Sequence, residues 1–268
     1  MDNIIGIIGL GFVGSAIQKS FLIKNIDTVG YDKYKNGGIG TFEECLKTRI
    51  VFLCLPTLYS EKTKEYNKDS LHEVCKKLSE NNYNGLVILK STVEPKTTES
   101  LCSKYNLRFM HNPEFLTART AFNDFHNQKH IILGKSSTCN EDDLNFIKNL
   151  YEKNYSMAKI SMCSSTESET MKIFVNSFYA SKIQLFNEYY LLCEKCNINY
   201  KNVINLMLKN DWINPMHTNV PGPDNKLSYG GACFPKDTNA LNNFMIRNNT
   251  MNEVLNSVIQ ERNKMRED

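Results

Sequence analysis

The sequence predicts an α/β fold: a doubly wound parallel sheet in the N-terminal part, then a long central helix and an all-α domain. Three observations carry this. Short apolar runs that read as buried strands alternate with helical stretches as far as Gly134, and such alternation implies a parallel sheet with helices on both faces. The first run, residues 3–8, leads straight into Gly9-Leu10-Gly11-Phe12-Val13-Gly14 and a helical stretch from Ser15 to Lys24. From Ser164 to about Cys196 there is neither Pro nor Gly, enough chain for one helix of roughly 45–50 Å at 1.5 Å per residue.

The glycine run gains meaning from its setting. It lies between strand and helix, and the next strand, Thr28–Tyr31, ends at Asp32. This is the pattern of a Rossmann dinucleotide site. Gly9, Gly11 and Gly14, with Phe12 and Val13 opening the helix, would let a pyrophosphate approach the free N–H groups of the helix start. Asp32 would accept hydrogen bonds from the adenosine ribose hydroxyls and repel a 2′-phosphate, which favours NAD over NADP; Lys33 and Lys35 weigh slightly the other way. The alternative is a glycine-rich turn that holds no ligand.

Further strands are expected at Arg49–Leu55, Gly85–Lys90, Leu107–Met110 and His130–Leu133. Ligands in doubly wound sheets lie beyond the carboxyl ends of strands. Pro56 and Thr57, Ser91 and Thr92, and Glu114 follow such ends, so one crevice is expected to gather them. Each alone could be ordinary loop chemistry. Residues 59–70 are polar and charged and read as a surface loop before a helix starting near Leu71.

A domain boundary is expected near 160, giving a Rossmann domain over 1–160 and a helical domain over 161–268. Ser164 onward offers capping hydroxyls and first-turn carboxylates. In the long helix, Met171, Phe174, Val175, Phe178, Ile183, Leu185 and Phe186 cover much of the circumference. A helix so widely apolar is buried by more than one neighbour, which suggests a homodimer seam. Lys172 and Asn176 share one face, although a lysine there is more often a solvated surface residue. A shorter helix is expected over 200–209, an irregular loop from Trp212 to Pro223, and two last helices over Asp237–Arg247 and Met251–Lys264.

Composition narrows the function classes. The 268 residues are 41% hydrophobic and 23% charged, with a formal net charge of +3. That argues against nucleic acid or a membrane surface as the main partner. No apolar run reaches a membrane span, and no signal peptide is read. Nine scattered cysteines, an odd number, suggest a reducing cytoplasm. Cys193 and Cys196 form the one close pair, with no second pair to complete a zinc site, so no metal is expected.

The most suggestive stretch is Gly230-Gly231-Ala232-Cys233-Phe234-Pro235-Lys236-Asp237. A cation near a cysteine favours the thiolate, the nucleophilic form, so Cys233 suits covalent catalysis. A buried structural cysteine in a glycine turn is the alternative.

Together these stretches resemble the UDP-glucose/GDP-mannose dehydrogenase family. The matches are Gly9–Gly14, Leu55-Pro56-Thr57, Ser91-Thr92-Val93, Asn112-Pro113-Glu114-Phe115-Leu116, Glu169 to Asn176 with Asn187-Glu188, Val220 to Asp224, and Gly230–Asp237. The resemblance implies a four-electron oxidation of a nucleotide sugar, from C6 alcohol to carboxylate, with two NAD reduced in turn. It implies UDP-glucose as substrate and UDP-glucuronate as product. Cys233 would form a thiohemiacetal and then a thioester. Lys172 and Asn176 would stabilise the oxyanion, Asp237 and Thr92 would hold the water used in proton transfer, and Glu114 would be the base for hydrolysis. Glu114, Phe115, Leu116, Lys172, Asn176, Tyr229 and Gly230 would contact the sugar nucleotide. Pro56, Thr57, Ser91, Thr92 and Lys236 would line the NAD site with the glycine loop and Asp32.

Three departures from the family pattern stand out. Ala118 replaces a second acid four residues after Glu114. His217 falls where the family has an arginine that reaches a partner subunit's substrate. The sequence runs only to Asp268, so the family's third, nucleotide-gripping domain is expected to be absent. Two rival readings remain: a hydroxyacid dehydrogenase of the 6-phosphogluconate type, which transfers one hydride without a cysteine, and a shortened, non-catalytic NAD-binding member.

Overall fold

The structure, a computed structural model, describes residues 4–267. Asn3, at the start of the expected first strand, lies outside them. In chain order the elements are β1 (Ile5–Ile8), α1 (Phe12–Ile23), β2 (Thr28–Tyr31), α2 (Phe42–Leu46), β3 (Ile50–Leu53), β4 (Tyr59–Ser60), β5 (Glu65–Tyr66), α3 (Asp69–Glu80), β6 (Leu86–Leu89), α4 (Thr97–Tyr105), β7 (Arg108–His111), α5 (Ala121–His126), β8 (His130–Lys135), α6 (Glu141–Asn154), β9 (Lys159–Ser164), α7 (Ser165–Lys195), α8 (Tyr200–Leu208), α9 (Phe234–Arg247) and α10 (Glu253–Met265). The chain divides into two compact units, residues 1–58 with 67–172 and residues 59–66 with 173–268.

The first unit is a seven-stranded sheet in the order β2-β1-β3-β6-β7-β8-β9. The strands β1, β3 and β6 are buried on both faces, which is why they read as unbroken apolar runs. Their side chains alternate between two cores: Ile7, Phe52 and Ile88 on one face, Ile8, Leu53 and Leu89 on the other. From β2 to β7 every pair is parallel. The expected parallel sheet is corrected at β8, which runs antiparallel to β7. The connecting helix α5 has six residues, roughly 9 Å of helix, too short to carry the chain back along the sheet. It docks on α1 instead, with Phe125 edge-on to Phe21 at 5.9 Å. The edge strand β9, which the sequence reading did not anticipate, pairs parallel with β8.

The second unit contains helices α8 to α10, most of α7, and the hairpin β4–β5. The hairpin corrects the expected surface loop. Tyr59 pairs with Tyr66 and Ser60 with Glu65, and Tyr66 is 1% exposed. It packs with Ile173, Ala240, Leu241, Leu255 and Ile259, while Asn243 donates to the Tyr59 hydroxyl at 2.9 Å and Arg247 to the Lys64 carbonyl at 2.9 Å. One face of α9 therefore holds the hairpin along its length. The helix α7 has 31 residues and leaves Phe174, Phe178, Leu185 and Leu192 exposed. Among the described residues, no helix is long and apolar enough to cross a membrane.

Candidate active site

The glycine loop takes the shape a dinucleotide site requires. Gly9 has φ +90°, and a Cβ there would lie 2.5 Å from the Cys54 carbonyl oxygen. A Cβ at Gly14 would run into the Gly9 carbonyl, so this pair is fixed by close packing of loop, strand and helix. Gly11 is different: a Cβ there would meet nothing within 4 Å. It caps α1 with no side-chain hydrogen bond, so the first turn of that helix is not covered by a capping side chain. An open approach at the positive end of a helix fits a pyrophosphate. Asp32 accepts from the backbone N–H groups of Leu10, Tyr34 and Lys35 at 2.7, 3.0 and 2.9 Å. Burial works to raise its carboxyl, but those three donors and the Lys35 charge hold it below the usual value. Lys35 reaches the Leu10 carbonyl and Ser15 hydroxyl at 2.5 and 2.9 Å, and Lys33 turns away to Glu73 at 2.8 Å. The residues present fit NAD.

The expected crevice residues of the first unit come together. The Thr57 hydroxyl donates to the Thr92 carbonyl at 2.7 Å, and the Ser91 hydroxyl to the Leu55 carbonyl at 2.6 Å. These bonds tie the segment after β3, Leu55-Pro56-Thr57, to the segment after β6. Beside them, Glu114 and Lys172 are both buried, with Oε1 and Nζ 3.7 Å apart. Burial of Lys172 (4% exposed) corrects the solvated alternative. Its ammonium also lies 4.9 Å from the Phe115 ring centroid. The second oxygen of Glu114 accepts the Leu116 N–H at 2.6 Å, which fixes the direction of the carboxylate.

Two supporting residues escaped the sequence reading. Lys90, at the end of β6, donates to Asn112 Oδ1 at 2.9 Å and to the Pro113 carbonyl at 3.3 Å. Tyr151 also donates to Asn112 Oδ1 at 2.6 Å, and Asn112 Nδ2 donates to the Ile132 carbonyl at 2.7 Å. Every polar atom of that amide is engaged, so the strand end carrying Glu114 is rigid. Burial pushes the Lys90 ammonium down to about 8. His111 is fully buried between Ser168 (Nδ1, 2.8 Å) and the Ser91 carbonyl (Nε2, 3.4 Å). A carbonyl only accepts, so Nε2 carries the proton and Nδ1 accepts from Ser168. A polar residue at the end of an apolar strand was the available signal for both.

In the second unit Cys233 is the N-cap of α9, half-buried, with Pro235 in the first turn. One turn on, Asp237 is fully buried. Its Oδ1 accepts from the Tyr66 hydroxyl and from Lys236 Nζ, each at 2.5 Å, and its Oδ2 from Asn176 Nδ2 at 2.5 Å. So the structure brings Asn176, Lys236 and Asp237 together, and adds Tyr66, which the sequence reading missed. Tyr229 is buried and its carbonyl accepts from Arg262 Nε at 3.2 Å. Gly230 owes its identity to packing: a Cβ there would collide with the guanidinium of buried Arg266, whose other contacts include Asp224 Oδ2 at 2.5 Å. His217 packs tilted against Tyr179 and edge-on to Phe234, centroids 5.0 and 5.7 Å away.

Several other cysteines are unsuited to nucleophilic chemistry. Burial pushes the thiol of Cys45 up to about 11 and those of Cys54, Cys75 and Cys139 up to about 12, which leaves them protonated and inert. Among the described residues, no group of three or more His, Cys, Asp or Glu is arranged to hold a metal.

Comparison with known proteins bears on the family and the fold. The UDP-glucose 6-dehydrogenase of Campylobacter jejuni is 32% identical over 192 residues, covering 70% of this chain and 47% of that protein. That of Rickettsia bellii is 31% identical over 224 residues, covering 81% and 50%. The chain thus spans about half the length of the curated relatives it matches. A UDP-glucose dehydrogenase structure from the hyperthermophilic archaeon Pyrobaculum islandicum superposes with a TM-score of 0.87 at 22% identity, covering 98% of this chain and 68% of that one. Residues 39–155 match the NAD binding domain, and residues 166–264 the central domain, of one family. With both domains matched in order, the chain belongs to the UDP-glucose/GDP-mannose dehydrogenase family.

Proposed function

We propose that this chain is an NAD-dependent nucleotide-sugar dehydrogenase that oxidises UDP-glucose at C6 to UDP-glucuronate in two steps at one cysteine. The observation that carries the reading is Cys233 at the start of α9, with Asp237 one turn behind it bonded to Asn176 and Lys236. Two further features support it. The first unit presents a glycine loop open at Gly11, and the curated relatives are UDP-glucose 6-dehydrogenases.

NAD would be held by the glycine loop, Asp32, Pro56-Thr57, Ser91-Thr92 and Lys236, and would accept one hydride per molecule, so two molecules would serve in turn. In the first oxidation the C6 hydroxyl gives up its proton through a water held by Asp237 and Thr92, and C6 becomes an aldehyde. Lys172 and Asn176 donate to the C6 oxygen as charge develops on it. The Cys233 thiolate, favoured by the positive end of α9, then attacks the aldehyde carbon. A C–S bond forms and the carbonyl π electrons move to oxygen, giving a thiohemiacetal. Loss of the second hydride leaves a thioester. Glu114 takes a proton from water, the resulting hydroxide adds, and the C–S bond breaks to release thiolate and the carboxylic acid, which gives its proton to solvent to become the carboxylate. Because the aldehyde stays attached to sulfur, one site performs both oxidations. Residues 1–160 serve as the NAD domain and 161–268 carry nucleophile and oxyanion donors. The exposed apolar residues of α7 suit a homodimer seam, and nine free thiols suit a cytoplasmic setting.

The test is NADH released per sugar consumed with UDP-glucose, GDP-mannose and UDP-N-acetylmannosamine. Two per UDP-glucose is the expected result. One per sugar refutes covalent capture, and silence with all three refutes the activity. Cys233→Ser is expected to abolish acid formation; normal turnover by that variant would return Cys233 to a structural role.

A further inference from the structure

The carboxylate of Asp237 is held by a residue far away in sequence, on the hairpin β4–β5. Tyr66 is 1% exposed, and its hydroxyl donates to Asp237 Oδ1 at 2.5 Å. Lys236 Nζ donates to the same oxygen at 2.5 Å and lies 4.8 Å from the Tyr66 ring centroid. Asn176 takes Oδ2 at 2.5 Å. A carboxylate offers about four acceptor positions, two on each oxygen. Among the described residues, Oδ1 is filled by Tyr66 and Lys236, and Oδ2 keeps one position. The arrangement therefore turns a freely rotating group into an acceptor with one defined direction.

We infer that Tyr66 is a positioning residue: its phenol locks Asp237 so that Oδ2 presents its open acceptor position to the water used in proton transfer. This rests on the dehydrogenase reading given above. The ring does separate work. It packs with Ile173, Ala240, Leu241 and Ile259 and lies beside the Lys236 ammonium, so the hairpin stays in place without the hydroxyl. Tyr66→Phe thus removes one donor and leaves the packing. With Lys236 on Oδ1 and Asn176 on Oδ2 still in place, the carboxylate loses one of its three donors and with it part of the restraint on its plane, so the acceptor offered to the water is less sharply aimed. Binding of sugar and NAD does not depend on that direction; the chemical step does.

Two measurements test this. In urea unfolding followed by circular dichroism, a double-mutant cycle of Tyr66→Phe with Asp237→Ala, which removes the acceptor, is expected to show coupling of about tenfold in the unfolding constant, because the two groups share one bond. In turnover, Tyr66→Phe is expected to lower kcat by about tenfold or more with KM for both substrates unchanged, the mark of an interaction used in the transition state. Additive single variants overturn the positioning, as does an unchanged kcat in an active enzyme. If coupling is present but the wild type oxidises no nucleotide sugar, Tyr66 still positions Asp237 and it is the dehydrogenase reading that fails.

Discussion

The fully buried imidazole of His111 makes acid a specific perturbation of the first unit. Burial pushes this group down from 6.5 to about 3, and the charges of Lys90 and Lys172 push the same way. The sign follows from proton counting. Between pH 6.5 and 3 the unfolded chain holds a proton on this imidazole that the folded chain excludes, so stability falls as pH falls through that window. At about 1.4 kcal/mol per pH unit the limiting loss is about 5 kcal/mol, of which about 2–3 kcal/mol is reached by pH 4.5. Carboxylates shift the same curve, so the test is a comparison. In His111→Gln an uncharged amide replaces the imidazole. The variant should be the less stable protein at pH 7.5 because one bond to Ser168 or Ser91 is weakened. On moving to pH 4.5 it should lose about 2–3 kcal/mol less than the wild type, a relative gain in Tm of several degrees by circular dichroism. Identical pH dependence in the two proteins would refute a neutral, buried His111.

Three other outcomes follow from the geometry. Gly11→Ala should leave Tm unchanged and weaken NAD about tenfold or more in a binding titration, whereas Gly14→Ala should destabilise the fold by about 1–3 kcal/mol in urea, since its Cβ meets backbone. Iodoacetamide at pH 7.5, read by peptide mass spectrometry, should modify Cys233 and exposed Cys196 first and leave Cys45, Cys54, Cys75 and Cys139 unmodified in the folded protein. Arg266→Ala should cost about 1–3 kcal/mol and speed hydrogen exchange over residues 224–230, because the guanidinium that packs on Gly230 and pairs with Asp224 is gone.

Much of the first unit was legible because its signals are local. Strands buried on both faces must be apolar runs, and the glycine loop must carry glycine at Gly9 and Gly14 whatever else surrounds it. The order of motifs pointed to the family for the same reason. What stayed hidden depends on residues distant in sequence. Tyr59 and Tyr66 sit among Glu61, Lys62, Lys64 and Glu65, so the hairpin looks like a charged loop until α9 supplies its apolar partner. Lys172 looks like a surface lysine because helical spacing shows which residues share a face and not what covers that face. Arg262 and Arg266, near the end of the last helix, resemble ordinary C-terminal basic residues, and their burial against the 224–230 segment has no local signature. The antiparallel turn at β8 follows from the shortness of α5, which the sequence does not reveal.

The buried charges themselves argue for chemistry over stability. The first unit encloses Lys90, Glu114 and Lys172, all less than a tenth exposed, and the second encloses Asp237. Removing an ion from water costs several kcal/mol even when it is paired, and apolar replacements are often neutral or better. Lys90 makes the point in numbers. Its ammonium is pushed from 10.5 to about 8, so between those values the unfolded chain binds a proton that the folded chain does not. Stability therefore rises with pH through that window, and below pH 8 the buried charge costs about 3 kcal/mol. An apolar side chain at the end of β6 would remove that cost, but it would also remove the donor that joins Asn112 to the Pro113 carbonyl, and so loosen the segment that aims Glu114. Stability alone does not account for a lysine there; a fixed carboxylate beside Lys172 does.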